Sequence, residues 1–152
     1  MASTAGLQRF VTAQKDDFAI ALQEIKAGRK RSHWMWYIFP QIQGLGFSST
    51  SLYYGIIDLE EAKAYLQHPI LGKRLVEITE VLLSLDLNDA RAIFGQPDDL
   101  KLKSSMTLFY SVPGSPEVFL KVLDKFFGGL PDEKTLQQLR KTSAPGVSSG
   151  QQ

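Results

Sequence analysis

The chain reads as a single all-α domain from about Leu7 to Lys141, one compact multihelical body. Two observations predict this. Nearly every apolar segment repeats its apolar residues at threes and fours and starts at a residue able to cap a helix, and no segment shows the clear alternation of a half-buried strand. Length adds a third: 152 residues suffice for one core and do not split comfortably into two. The pattern yields about seven to nine helices with the segment around Trp34 in the middle. The exception is Leu52 to Ile57, where Tyr53, Tyr54, Ile56 and Ile57 allow a short strand.

Taken in order, Met1 to Gly6 read as a loose start. Leu7, Phe10, Val11 and Gln14 then fall at helical spacing. Asp16 or Asp17 caps a second helix, whose inner face carries Phe18, Ala21, Leu22 and Ile25 and whose end is Gly28. Ser32 caps a helix from His33 to Phe39 that is apolar all round and stopped by Pro40, which marks it as buried. Gln41 to Phe47 is a loop on Gly44 and Gly46, and Ser48 to Ser51 start a short helix. Asp58 and Glu61 form a capping-box pattern for a helix that reaches His68. Pro69 opens the next, with Leu71, Leu75, Ile78, Leu82 and Leu85 inward. Asp89 to Phe94 is short and stopped by Gly95. Pro97-Asp98-Asp99 starts a helix with one polar stripe, Lys101 and Ser105, and one apolar stripe, Leu102, Met106 and Phe109. Ser115-Pro116-Glu117 caps the penultimate helix, which Gly128-Gly129 ends, and a last helix runs from Asp132 to about Lys141. Thr142 to Gln152 has almost nothing to bury and reads as a disordered tail.

Composition removes several functions. The net charge of +1 and pI near 7.9 supply no global field toward nucleic acid or an acidic membrane, so any basic function is local. The absence of cysteine excludes disulfides, thiol nucleophiles and thiolate metal sites, and it fits a reducing compartment. No leader pattern opens the chain and no apolar run approaches a membrane span, so the expected location is the cytoplasm. His33 and His68 have no carboxylate at ligand spacing, and no Gly-x-Ser-x-Gly elbow occurs, which argues against a metal site, a cofactor-dependent enzyme and a serine hydrolase. Oligomeric state is not written in the pattern.

What remains is concentrated between Gly28 and Gly55. Lys30 and Arg31 are either solvated cations at a helix end or anion contacts. His33 is either a hydrogen-bonded structural histidine or a base. Trp34 and Trp36 face different ways on one helix, so one indole packs while the other lines a cleft. Gln41, Ser48, Ser51 and Tyr54 add hydrogen-bonding groups around the glycine loop, and Lys101 and Ser105 face them from the later helix. Cations, aromatic faces and hydroxyls together fit a small anionic, phosphorylated, ring-bearing ligand. Asp98 and Asp99 are either helix-start acids or the acid–base group of a reaction on that ligand.

At GRKRSHWMWYIFPQIQGLGFSSTSLYY, EAKAYLQHPILGKRL and IFGQPDDLKLKSSMTLF the chain resembles the family named domain of unknown function 1810, over Leu7 to about Leu139. That resemblance implies a compact helical fold and no particular activity. SSTSLYYG, AKAYLQHPILGKR and DDLKLKSSM also resemble, in the same order, the NADAR domain, whose members cleave N-glycosidic bonds in ribosylated compounds. Ser49, Tyr53, Lys73, Arg74, Asp99 and Met106 are the positions that correspond, while Thr50 stands where that domain has an acidic catalytic residue. The second resemblance implies binding of an ADP-ribosyl or phosphoribosyl compound, followed by hydrolysis with Asp99 or Asp98 as acid–base. The alternative is a non-catalytic sensor that uses the same cleft.

Overall fold

Leu7, Phe10, Gln14, Ala21 and Ile25 all lie below 2% exposure, at spacings of three, four, seven and four, so they form one unbroken inward stripe. For that reason the two helices expected before Gly28 are a single one, α1 (Thr4–Lys26), in a computed structural model that describes residues 4–142. No glycine or proline interrupts α1 between Leu7 and Lys26. Asp17 does not cap a helix start; its carboxylate instead accepts the hydroxyl of Tyr37 from the side. The loose start expected over residues 1–6 is helical from Thr4, and residues 1–3 lie outside the described part. At the other end Gly28 N–H donates to Ile25 O and Arg29 N–H to Glu24 O, which closes α1 where the sequence indicates.

The helix expected over His33 to Phe39 is one turn, α2 (Met35–Ile38). Ser32 does not cap it, because its hydroxyl is committed to Glu24 Oε2 at 2.5 Å. α3 (Ser49–Tyr54) is capped by Ser48, whose hydroxyl accepts from Ser51 N–H. Leu52 to Tyr54 therefore belong to a helix. Of the stretch with strand character, Ile56 makes an isolated parallel bridge with Ile42.

α4 (Leu59–Gln67) begins with Asp58 accepting from Glu61 N–H, as the capping pattern requires. α5 (Leu71–Ser84) follows, and the ring of His68 accepts the N–H groups of Ile70 and Leu71 at its start, which gives that histidine a structural task. Gly72 lets α5 cross α4 closely, since a Cβ there would run into the backbone carbonyl of Leu66. α6 (Ala90–Phe94), capped by Asp89, leads into α7 (Asp98–Tyr110), then α8 (Val118–Phe127) and α9 (Glu133–Thr142). The tail expected from Thr142 lies beyond the described residues from 143 onward.

The fold is all-α, with nine helices among the described residues. Its centre is held by α5, packed on α1, α4 and α8, and by α7, packed on α4, α6, α8 and α9. The Trp34 segment, expected at the middle, sits on α1 and α3, though Trp34 itself is buried against Phe39 and Phe94. α9 is fastened to α7 by a buried polar chain in which Ser104 and Thr135 share a hydrogen bond of 2.8 Å and Thr135 donates to Asp132. Among the described residues no helix is long and apolar enough to cross a membrane.

Candidate functional site

Behind Pro40 the chain turns back over α3, and the backbone pins it there: Ile56 N–H donates to Gln41 O and Gln43 N–H to Ile56 O, both at 2.8 Å. Gln43 Nε2 adds a bond to Leu52 O. The enclosed space is a cavity of about 170 Å³ lined by Gln41, Ile42, Gly44, Leu45 and Gly46 of the loop, by Ser51, Tyr54 and Gly55, and by Trp36 and Lys101. Gly44 has a φ of +104°, which favours glycine, and a Cβ there would also meet the terminal amide of Gln138 of α9, a side chain that can swing aside.

Among the described residues, Lys101 is the one charged residue on this wall. Its ammonium lies 4.0 Å from the centre of the Trp36 ring and 3.2 Å from Asp98 Oδ1, which fixes it against the indole face. Asp98 Oδ2 is in turn 2.9 Å from Lys30, whose ammonium also donates to Ser32 O and lies over Trp34. A chain of alternating charge, Lys30, Asp98, Lys101, thus runs from the α1–α2 connection to the cavity.

Tyr54 also lines the cavity and stands among Phe10, Tyr37 and Tyr53. Burial and the nearby Tyr53 push its hydroxyl above the ordinary phenol range, against the pull of Arg9, so at neutral pH it is a hydrogen-bond donor. Ser51 Oγ donates to Ser48 O at 2.9 Å and keeps its lone pairs as acceptors.

Of the residues singled out in the sequence, Trp36, Gln41, Ser51, Tyr54 and Lys101 meet at this wall. Lys30 does not line it and acts through Asp98. Arg31 and His33 are exposed elsewhere, Ser48 is spent on the α3 cap, and Trp34 is in the core with its indole N–H on Glu24 Oε1. Neither aspartate lines the cavity. Asp98 is the link between two lysines, while Asp99 is half-buried and its Oδ1, like Ser105 Oγ, has no hydrogen-bond partner among the described residues. The positions corresponding to the NADAR domain do not meet at the cavity either: Ser49, Tyr53 and Lys73 are exposed, Arg74 stacks on Phe18, and Met106 is core.

Three residues that shape the site, Glu24, Arg9 and Glu61, were not among those singled out for it in the sequence, although Glu61 belongs to the capping pattern of α4. Glu24 accepts the Arg31 and Ser32 N–H groups, the Ser32 hydroxyl and the Trp34 indole, and so builds the connection that carries Lys30. Burial raises its carboxyl, but these bonds together outweigh burial and hold it at about 2. The available signal was an acid in the last turn of a helix, where the dipole disfavours it. Arg9 takes the carbonyls of Tyr53 and Gly55 and pairs with buried Glu61, which also accepts Ile57 N–H. These two fix the exit of α3, hence the Tyr54 wall, and joining residues 52 positions apart is beyond what spacing reveals.

Residues 4–139 match the family model described as "Protein of unknown function (DUF1810)". The crystal structure of the conserved hypothetical protein Rv1873 from Mycobacterium tuberculosis is similar at a TM-score of 0.86 and 48% identity, covering 88% of this chain and 96% of that one. Compared with the curated proteins, the chain has no match. On the family match over nearly its whole described length, the chain belongs to the DUF1810 family.

Proposed function

We propose that this protein is a binding module for a small anionic, ring-bearing ligand of the ribose phosphate or ADP-ribose type, seated between Trp36 and Tyr54. The observation that carries the reading is Lys101: a single ammonium held on an indole face at the wall of a cavity whose other lining groups are apolar, hydroxyl or amide. The aromatic faces supply stacking area, Lys101 the anion contact, and Tyr54, Ser51 and Gln41 the directional hydrogen bonds. At about 170 Å³ the cavity falls below the ~300 Å³ lower end of pockets for drug-sized ligands, so it seats one ring with its substituent and leaves the remainder of an ADP-ribose outside.

Hydrolysis of an N-glycosidic bond is the narrower reading. Its support is the Oδ1 of Asp99, a buried carboxylate oxygen without a partner among the described residues. An acid–base group must reach the bond it serves, and the lining residues include no carboxylate, so we adopt binding as the function. The test is a melting series with ribose 5-phosphate, nucleoside monophosphates, NAD and ADP-ribose on wild type and Lys101→Met. A ligand that binds the native state alone raises the midpoint by mass action, and the expected result is a rise in wild type that Lys101→Met abolishes. An equal rise in the variant would place the ligand elsewhere. Release of free sugar by wild type, lost in Asp99→Asn, would restore the hydrolytic reading.

A further inference from the structure

We propose that the cavity selects a ring-bearing ligand with one negative charge, such as a phosphodiester or ring carboxylate, over a phosphomonoester dianion. The selection arises because the ion chain Lys30–Asp98–Lys101 offers the cavity one net positive charge. The inference rests on the binding reading of the same site and narrows it, favouring ligands of the ADP-ribose type, whose phosphates carry one charge each, over ribose phosphate monoesters.

Two ammonium groups and one carboxylate sum to a single positive charge, and all three side chains are largely shielded, at 8%, 18% and 22% exposure for Lys30, Asp98 and Lys101. Only Lys101 reaches the wall, and one side of its charge already faces Asp98 at 3.2 Å. Lys30 faces the other carboxylate oxygen at 2.9 Å and so frees part of Lys101 for a ligand. Arg9, behind Tyr54 and Gly55, is offset by Glu61 at 3.2 Å, and Asp17, which accepts from Tyr37, adds negative field. A phosphomonoester brings about −1.5 to −2 at neutral pH and would leave charge uncompensated in a shielded space, whereas a diester or carboxylate would be matched.

The experiment compares ribose 5-phosphate with its phosphate methyl ester, which has the same ring and one ionisable oxygen fewer, and with nicotinate as a ring carboxylate. Affinities are measured by calorimetry on the full chain, with the Trp36 indole resonance as the report of site occupancy. Wild type is expected to bind the methyl ester or nicotinate at least about tenfold more tightly than ribose 5-phosphate. Asp98→Asn raises the chain to two net charges and should reverse or erase that ratio, while Lys30→Met lowers it to zero and should weaken both anions by about tenfold or more. The two variants push in opposite directions, and whichever keeps a cooperative melt decides the matter. Tighter binding of the dianion by wild type, or a ratio unmoved in the folded variant, overturns the charge rule and leaves the binding reading standing. A Trp36 resonance unmoved by all three probes removes the binding reading, and the charge rule with it.

Discussion

Glu24 illustrates how one side chain sets up the site without touching it. Its carboxylate gathers four donors from residues 31–34, so the connection bearing Lys30 has a fixed course. Its folded value of about 2 lies below the ordinary 4.5, so its contribution to stability is present above pH 4.5 and is lost as the pH falls toward 2. Glu24→Gln should therefore cost about 2 kcal/mol at neutral pH, the order expected for bonds to a charged acceptor, and much less at the acid end. Urea unfolding at both pH values checks this, and an equal loss at both would show that ionisation of Glu24 is not what holds the connection. At this scale the sequence was partly legible. Trp36 and Trp34 divide as their helical spacing implies, one lining the cavity and one buried, and Lys101 lies on the polar stripe. Lys30, read in the sequence as a solvated cation or an anion contact, instead spends its charge on Asp98. The partner of a cation 68 positions away is a property of the fold and not of spacing.

Among the elements, the glycine stops and three of the caps were readable because their chemistry is local, whereas Ser115-Pro116-Glu117 supplies α8 with no side-chain cap, since Ser115 Oγ turns back to Tyr110 O. Ser48, Asp58 and Asp89 each accept the N–H that their position calls for. Boundaries failed where a tertiary partner outbid the local one: Ser32 goes to Glu24 and Asp17 to Tyr37, so α2 shrinks to a turn and α1 runs through. The glycine loop also depends on a distant element, α9, which presses Gln138 against Gly44. Gly44→Ala places a side chain at a positive φ and into that contact, for an expected cost of about 1–3 kcal/mol. Thermal unfolding should show the loss, and ligand response should fall with it because the same loop walls the cavity. An unchanged midpoint would mean that the loop and α9 are not packed as described.

For the whole molecule, period and length were enough to read an all-α domain, since both describe the chain before any long-range contact is made. The cavity is different. Its walls come from α2, the 41–46 loop, α3 and α7, and no pattern within one segment announces that α7 brings Lys101 over Trp36. With a near-neutral total charge, the proposed binding rests on that single ammonium and its ion chain. The two tryptophans make the claim directly measurable, because each gives one indole N–H resonance and only Trp36 lies at the cavity, while Trp34 is bonded to Glu24 in the core. Titration of the labelled protein with a ligand that raises its melting midpoint should move the Trp36 indole peak and the Lys101 ammonium signals and leave the Trp34 indole peak in place. Movement of Trp34 alone, or of neither tryptophan, would contradict the assignment of the binding site to this cavity.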